Sequence, residues 1–254
     1  MQIKELHNPP ILEALLEIRF NTNKNVTVEG LDTFAASLGA TYPKKVAIDN
    51  TRFELTYGKD VGATHAFDVQ PSGFKLTNAN DNRIVIAAID KFVISYLAPY
   101  ESWPALLDTA KSLYAKYLQY APQTEKIRLG LRYINKINMP ANNDFKFESY
   151  IKTFPPIPKY EGIPDSISNF ETVLVVPLSD IDCTSTVRQV LLNPENSGDE
   201  KSAFLPIILD IDVYRDVSTT MSDEEMWNTF EKMREKKNAL FFGSLTDLAV
   251  QPYE

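Results

Sequence analysis

Apolar and polar residues alternate through the opening segment "NPPILEALLEIRF" (residues 8–20). Leu12, Ala14, Leu16, Ile18 and Phe20 fall on one side; Ile11, Glu13, Leu15, Glu17 and Arg19 fall on the other. A period of two sets one row against a core and the other toward water, as a half-buried strand does. Glu, Ala and Leu are also good helix formers, so a helix competes for the same segment. Pro9 and Pro10 remove two backbone donors and bias the chain toward extended geometry, which favours the strand. After a polar connection, "LDTFAASLG" (31–39) predicts a short helix stopped by Gly39. The runs "KKVAIDN", "RFELTYG", "THAFDV", "GFKLTN" and "RIVIAAIDKFVISYLAP", separated by turn residues, predict an antiparallel meander. A longer helix follows. Ser102 is placed to cap it, Pro104 falls in its first turn, and Leu106, Ala110, Leu113 and Tyr117 recur at helical spacing before Pro122.

The pattern then begins again. In "IRLGLRYINKINM" (127–139), Ile127, Leu129, Leu131, Tyr133 and Ile137 share one face, and Arg128, Gly130, Arg132, Ile134 and Lys136 share the other. "DFKFESYIKTF" follows where the first half has its short helix, and the proline-rich "PPIPKYEGIPD" leads to "FETVLVVPL", "STVRQVLLN" and "FLPIILDIDVYRD", three further strand-like runs. A second long helix closes the chain. Ser222 and Glu225 have the spacing of a capping box, and Met221 and Met226 that of a hydrophobic staple. Asp223 to Glu225 at its start and Arg234 to Lys237, read as lying near its end, match the helix dipole.

Both halves thus run strand, short helix, several strands, long helix, each long helix carrying a tryptophan near its start (Trp103, Trp227). The expectation is an α+β protein of two tandem related units, 1–126 and 127–254, each an antiparallel sheet with a short and a long helix and the second with fewer strands. The element order is similar to TATA-binding-like and helix-grip-like folds, and whether the halves share one sheet stays open. Fold analogy of that kind carries no function.

The stretches "PPILEALLEIRF", "RLGLRYINKI", "ILDIDVYRD" and "MREKKNALFFGSLTD", spread from Pro9 to Asp247, resemble a sporadically distributed family of uncharacterised microbial proteins. The resemblance implies no assigned activity. A patchy occurrence suits laterally transferred genes such as defence or toxin-immunity systems.

Composition changes the picture by exclusion. The first 126 residues carry 13 basic against 14 acidic side chains and the remainder 13 against 20, so the net charge of −8 sits mostly in the second half. An acidic half argues against nucleic acid, whose binders neutralise phosphates with a basic face, and suits a basic protein partner. With Cys183 the single cysteine, no intramolecular disulfide can form, and neither a signal-peptide pattern nor a 20-residue apolar run is present. A cytoplasmic protein is expected.

Two histidines, His7 and His65, cannot build a histidine metal centre, and no metal or cofactor is expected. Cys183 with His65 is the one Cys–His pairing the chain offers, and the neighbouring Asp180 and Asp182 raise a thiol pKa rather than lower it. Gly-rich phosphate loops and the Gly-x-Ser-x-Gly elbow are missing from the sequence. What remains is charge on strand faces: Glu13, Glu17 and Arg19; Arg128 and Arg132, with Lys136 beyond; and Asp210 and Asp212 beside Tyr214. Two readings stay open. The rows form cross-strand ion-pair ladders, with Glu13 and Glu17 set against Arg128 and Arg132. Alternatively, they line a binding face where the arginines hold an anionic group and the aspartates a cationic one. Function is expected to be a non-enzymatic interaction with an unknown partner, defence- or immunity-associated; the alternative, which leaves catalysis open, is a small-ligand or nucleotide-binding domain with an Arg/Asp-lined pocket.

Overall fold

Ile11–Phe20 forms the first strand, β1, and alternation sets its burial: Ala14, Leu16, Ile18 and Phe20 are buried, whereas Glu13, Leu15 and Glu17 are half-buried and Arg19 is exposed. Leu12 departs from the pattern and is exposed. The computed structural model describes residues 6–254 apart from 22, 59–61, 124, 141–144, 154–159, 163–167, 193–203 and 219, and of 50–70 the backbone but not the side chains. The elements after β1 are α1 (Val28–Ser37), β2 (Lys44–Gly58), β3 (Gly62–Thr77), β4 (Arg83–Ala88), β5 (Lys91–Leu97) and α2 (Trp103–Tyr120). They continue as β6 (Lys126–Pro140), β7 (Glu171–Leu178), β8 (Cys183–Leu191), β9 (Phe204–Asp216), α3 (Asp223–Ser244) and α4 (Asp247–Val250). Among the described residues, nine strands make one large antiparallel sheet in the order β2-β3-β4-β5-β1-β6-β9-β8-β7.

Several boundaries differ from those expected. "KKVAIDN" and "RFELTYG" merge into β2, and "THAFDV" and "GFKLTN" into β3, because the two strands pair along their length with one register shift at Ile48/Asp49. The run from Arg83 to Pro99 divides into β4 and β5 at Ile89–Asp90. Helix α1 starts three residues earlier than expected, where the Thr27 hydroxyl accepts from the Gly30 amide at 3.1 Å, and it ends at Ser37. Gly39 does not adopt the left-handed conformation of a glycine cap. "DFKFESYIKTF" yields a single 3-10 turn, Phe147–Ser149, among its described residues. Most of "PPIPKYEGIPD" lies outside the described residues.

The chain divides into two compact units, one of Glu17–Ser95 with Glu101–Ile127, the other of the chain up to Leu16 with Tyr96–Tyr100 and Arg128–Glu254. In the former, α2 follows the expected cap: Ser102 Oγ accepts from the Ala105 amide at 3.3 Å, with Pro104 in the first turn. Its tyrosines face inward. Tyr117 meets Phe92 with 5.0 Å between ring centroids and Phe34 edge-on at 5.8 Å. Its hydroxyl donates to the Ala88 carbonyl at 2.8 Å and accepts from Gln123 Nε2 at 2.9 Å, so the polar tip is satisfied inside the core. Tyr114 is also buried, so this helix face is core rather than an interface, and Trp103 is buried with it.

In the other unit, β6 and β9 turn Leu129, Leu131 and Tyr133 and Leu209, Ile211 and Val213 to one side, where α3 packs on β9. Ser222 caps α3, its Oγ accepting from the Glu225 amide at 3.1 Å, and Met221 and Met226 are both buried. The helix does not end at its basic stretch. It continues through "NALFFGS" to Ser244, which places Arg234 to Lys237 in its middle and leaves its last turn without a basic residue. The physical reason lies in its buried stripe, Met226, Phe230, Met233, Lys237, Phe241 and Ser244, a three-or-four spacing that runs through the charged segment without a break. Trp227 lies beside the stripe, half-buried, 5.9 Å from the Phe230 ring.

Candidate functional site

Cross-strand register places the charged rows. Opposite residues of an antiparallel pair share a face. Arg132 stands opposite Asp212, Gly130 opposite Tyr214, Ile134 opposite Asp210 and Arg128 opposite Asp216. Beyond β9, Thr186 stands opposite Asp212, and Arg188 opposite Asp210. These residues form one polar face of β6, β9 and β8, while the alternate residues of the same strands are buried, mostly apolar but with Asn135, Ser185 and Gln189 among them.

Contacts run along diagonals. Arg132 donates to Asp210 through Nε (2.8 Å) and Nη2 (2.6 Å), a two-pronged guanidinium–carboxylate pair. The carboxylate lies deep, at 10% side-chain exposure, and the guanidinium lies above it at 41%. Arg132 is held more firmly protonated than a free arginine, first by the hydrogen bond to Asp210, against desolvation, with the charges of Asp210, Asp212 and Glu13 adding to it. Arg188 Nε donates to Glu171 of β7 at 2.8 Å. Arg128 is held differently. Its guanidinium carbon lies 4.2 Å from the Tyr214 ring centroid, on the line where Gly130 offers no side chain, and its Nη2 stands 3.6 Å from Asp212. Its buried Nε–H has no acceptor.

The candidate residues of β1 divide between two local settings. Glu13 acts on Arg132 through its charge. Glu17 accepts from Arg19 Nε at 2.8 Å, within its own strand. Asp210 of β9 is a hydrogen-bonded carboxylate partner of Arg132. Both β1 and β9 neighbour β6 in the sheet order, so adjacency alone does not choose the partner; the β6–β9 register sets Asp210 on the diagonal from Arg132, and a single sequence does not reveal register.

Cys183 is buried, its Sγ donating to the Ile181 carbonyl at 3.4 Å. Burial foremost, then Asp182 and Asp180, push its thiol up to about 11 against the pull of Arg215, the wrong direction for a nucleophile at neutral pH. The side chain of His65 lies outside the described residues. Among the described residues no three His, Cys, Asp or Glu side chains gather as a metal site, and no helix is long and apolar enough to cross a membrane.

Sequence reasoning missed Lys237. It occupies a core position of α3 at 9% exposure, with Nζ 3.8 Å from the centroid of the Tyr133 ring. Tyr133 shares a 3.0 Å hydroxyl–hydroxyl hydrogen bond with Tyr100. Burial, with a smaller push from Arg234, brings the Lys237 amine down to about 7, while burial raises Tyr100 to about 12 and Tyr133 well above its ordinary value. The signal was present in the 226–230–233–237–241 spacing, and the flanking charges hid it. A separate cleft of about 640 Å³ opens in the unit that holds α2, between the end of α1, the β3–β4 turn and α2, with Thr41, Asn80, Asn82, Arg83, Asp108 and Ser112 among its lining. No protein-family profile matches the chain, and no curated protein matches it.

Proposed function

We propose that this chain is a non-enzymatic binding protein of the cytoplasm that engages a protein partner through the polar face of β6, β9 and β8, in a defence or immunity setting. The observation that carries the reading is the unequal satisfaction of that face. Asp210 and Glu171 engage Arg132 and Arg188 at hydrogen-bond distance, whereas Arg128 rests on Tyr214 with its nearest carboxylate at 3.6 Å. A guanidinium lying on a ring and held loosely by its own carboxylate is poised for an acceptor on a partner, the kind of anchor enriched at interfaces. The buried, unpaired Cys183 is consistent with a reducing compartment.

Two arginine variants separate recognition from support. Arg128→Ala is expected to weaken capture of the partner at least tenfold with little change in melting temperature. Arg132→Ala is expected to lower the melting temperature, because the sheltered Asp210 loses its counter-charge. Partner capture unchanged by Arg128→Ala would remove the face from the interaction. The cleft beside α2 favours a second reading, a small-ligand or nucleotide site at Arg83 and Asp108. A thermal shift with a nucleotide that Arg83→Ala abolishes, together with no captured protein, would select it.

Internal duplication belongs to the same proposal. In each half the first strand lies beside the last and the others return to the edge in order, β1-β5-β4-β3-β2 and β6-β9-β8-β7. That order supports two related units of TATA-binding-like or helix-grip-like arrangement, the second shorter by one strand.

A further inference from the structure

The edge strand β7 has an outward row of backbone groups and an unusual share of exposed aliphatic surface. Its direction of bonding follows from one contact. The Leu191 amide donates to the Phe170 carbonyl at 3.1 Å, in the same register that pairs Glu171 with Val190 and runs unbroken to Leu178 opposite Cys183. Alternation then turns the amides and carbonyls of Thr172, Leu174, Val176 and Leu178 toward β8, and those of Glu171, Val173 and Val175 away from it, where no described strand pairs with β7. The same parity turns Pro177, which has no N–H, outward, the position where a proline costs a sheet nothing.

Three successive side chains on this strand are exposed, Val173 (52%), Leu174 (44%) and Val175 (65%). Edge strands are ordinarily protected by lysines, bulges or inward charges. Among its described side chains the opposite edge strand, β2, has such features: beside an exposed Val46 it opens with Lys44 and Lys45, paired to Asp81 and Asp32, and its register is interrupted at Ile48/Asp49. β7 has neither a lysine nor a register shift, and its single charge, Glu171, is already matched by Arg188.

We propose that β7 is a dimerisation edge, pairing antiparallel with β7 of a second copy of this chain about a two-fold axis at Leu174. The register follows from the strand's own sequence. Centred on Leu174, each exposed aliphatic residue meets another: Leu174 faces its counterpart, and Val173 faces Val175 of the copy on both sides of the axis. Val173 and Val175 exchange both backbone bonds with their opposites. Glu171 lies opposite Pro177 and donates to its carbonyl, so the missing proline N–H falls at the ends of the ladder. The two Glu171 carboxylates stand at opposite ends, which avoids like-charge contact. An interface of this kind closes on itself, since each copy presents one such edge. Pairing with β2 of a copy would instead lay aliphatic residues against a lysine-bearing strand.

Sedimentation velocity over a concentration series tests the pairing directly. The wild-type chain is expected to sediment as a dimer at micromolar concentration. Val175→Lys is expected to raise the dimer dissociation constant at least tenfold while leaving the monomer's melting temperature within a few degrees. Leu174→Cys supplies an independent readout, since residues facing each other at a two-fold axis between non-hydrogen-bonded partners lie within disulfide reach. Mild oxidation should convert that variant to a covalent dimer, with Cys183 unreacted. A wild-type chain that stays monomeric up to about 100 μM would overturn the proposal. So would a dimer that survives Val175→Lys unchanged and leaves Leu174→Cys uncrosslinked.

Discussion

Lys237 shows how far a residue's meaning depends on its surroundings. In sequence it is the last member of "REKK", a solvated run. In the fold it is the one charged side chain in the buried stripe of α3, with the ring of Tyr133 beneath its amine. The ring's negative face favours the protonated form, and burial opposes it more strongly, bringing the amine to about 7. The sign of the linkage is definite. Between pH 7 and the ordinary lysine value near 10.4, the unfolded chain holds a proton that the folded chain has released, so stability rises with pH by up to about 1.4 kcal/mol per unit. Conversely, that stability is lost as pH falls through 7. Tyr100 and Tyr133, raised by burial, oppose this above pH 10, where the unfolded chain loses protons that the folded one keeps. Urea denaturation from pH 6 to 9 should therefore show Lys237→Met more stable than wild type at pH 6 to 7, with the gap closing toward pH 9. Parallel curves would show that Lys237 stays charged in the fold. The charged strand faces were more legible: period-two alternation placed Arg128 and Arg132 on one row and Asp210 and Asp212 on another. Which carboxylate each arginine takes, and that Arg128 lies on Tyr214, required both strand order and register.

At the scale of elements, local chemistry predicted the serine-capped starts of α2 and α3, whereas α1 starts three residues before its expected position. Ser102 and Ser222 cap the helices they were expected to cap, because an N-cap needs only a hydroxyl and the amide three residues on. Ends depend on what the helix packs against. Helix α3 passes its basic run because Phe241 and Ser244 continue the stripe toward the sheet, and Gly39 is not the left-handed stop of α1. Ser222→Ala should cost about 1 kcal/mol in urea denaturation, with the slope of the transition unchanged, since it removes one cap and no core. A loss well under 0.5 kcal/mol would mean that the acidic first turn and Met221 hold the helix start without the hydroxyl.

For the whole molecule, a nine-stranded sheet predicts a gradient of protection. Strands β1 and β6 lie inside the sheet order, whereas β2 and β7 end it. Amides of β1 and β6 should exchange on the order of 100-fold more slowly than outward-facing amides of β7 such as Val173 and Val175, measured at a concentration low enough to keep the chain monomeric. Equal protection would mean that the β7 edge is already covered within a single chain. Alternation, turn residues and caps were enough to specify an α+β chain with a strand at each half's start and a long capped helix at each half's end, because these are properties of a few neighbouring residues. Sequence also excluded an intramolecular disulfide, since Cys183 has no second cysteine in its own chain. Strand order, the Arg132–Asp210 pair, the burial of Lys237 and the exposure of Val173, Leu174 and Val175 on β7 were decided only by tertiary structure. Each depends on residues far apart in the chain becoming neighbours, and periodicity within a strand gives its faces without naming the strand beside it.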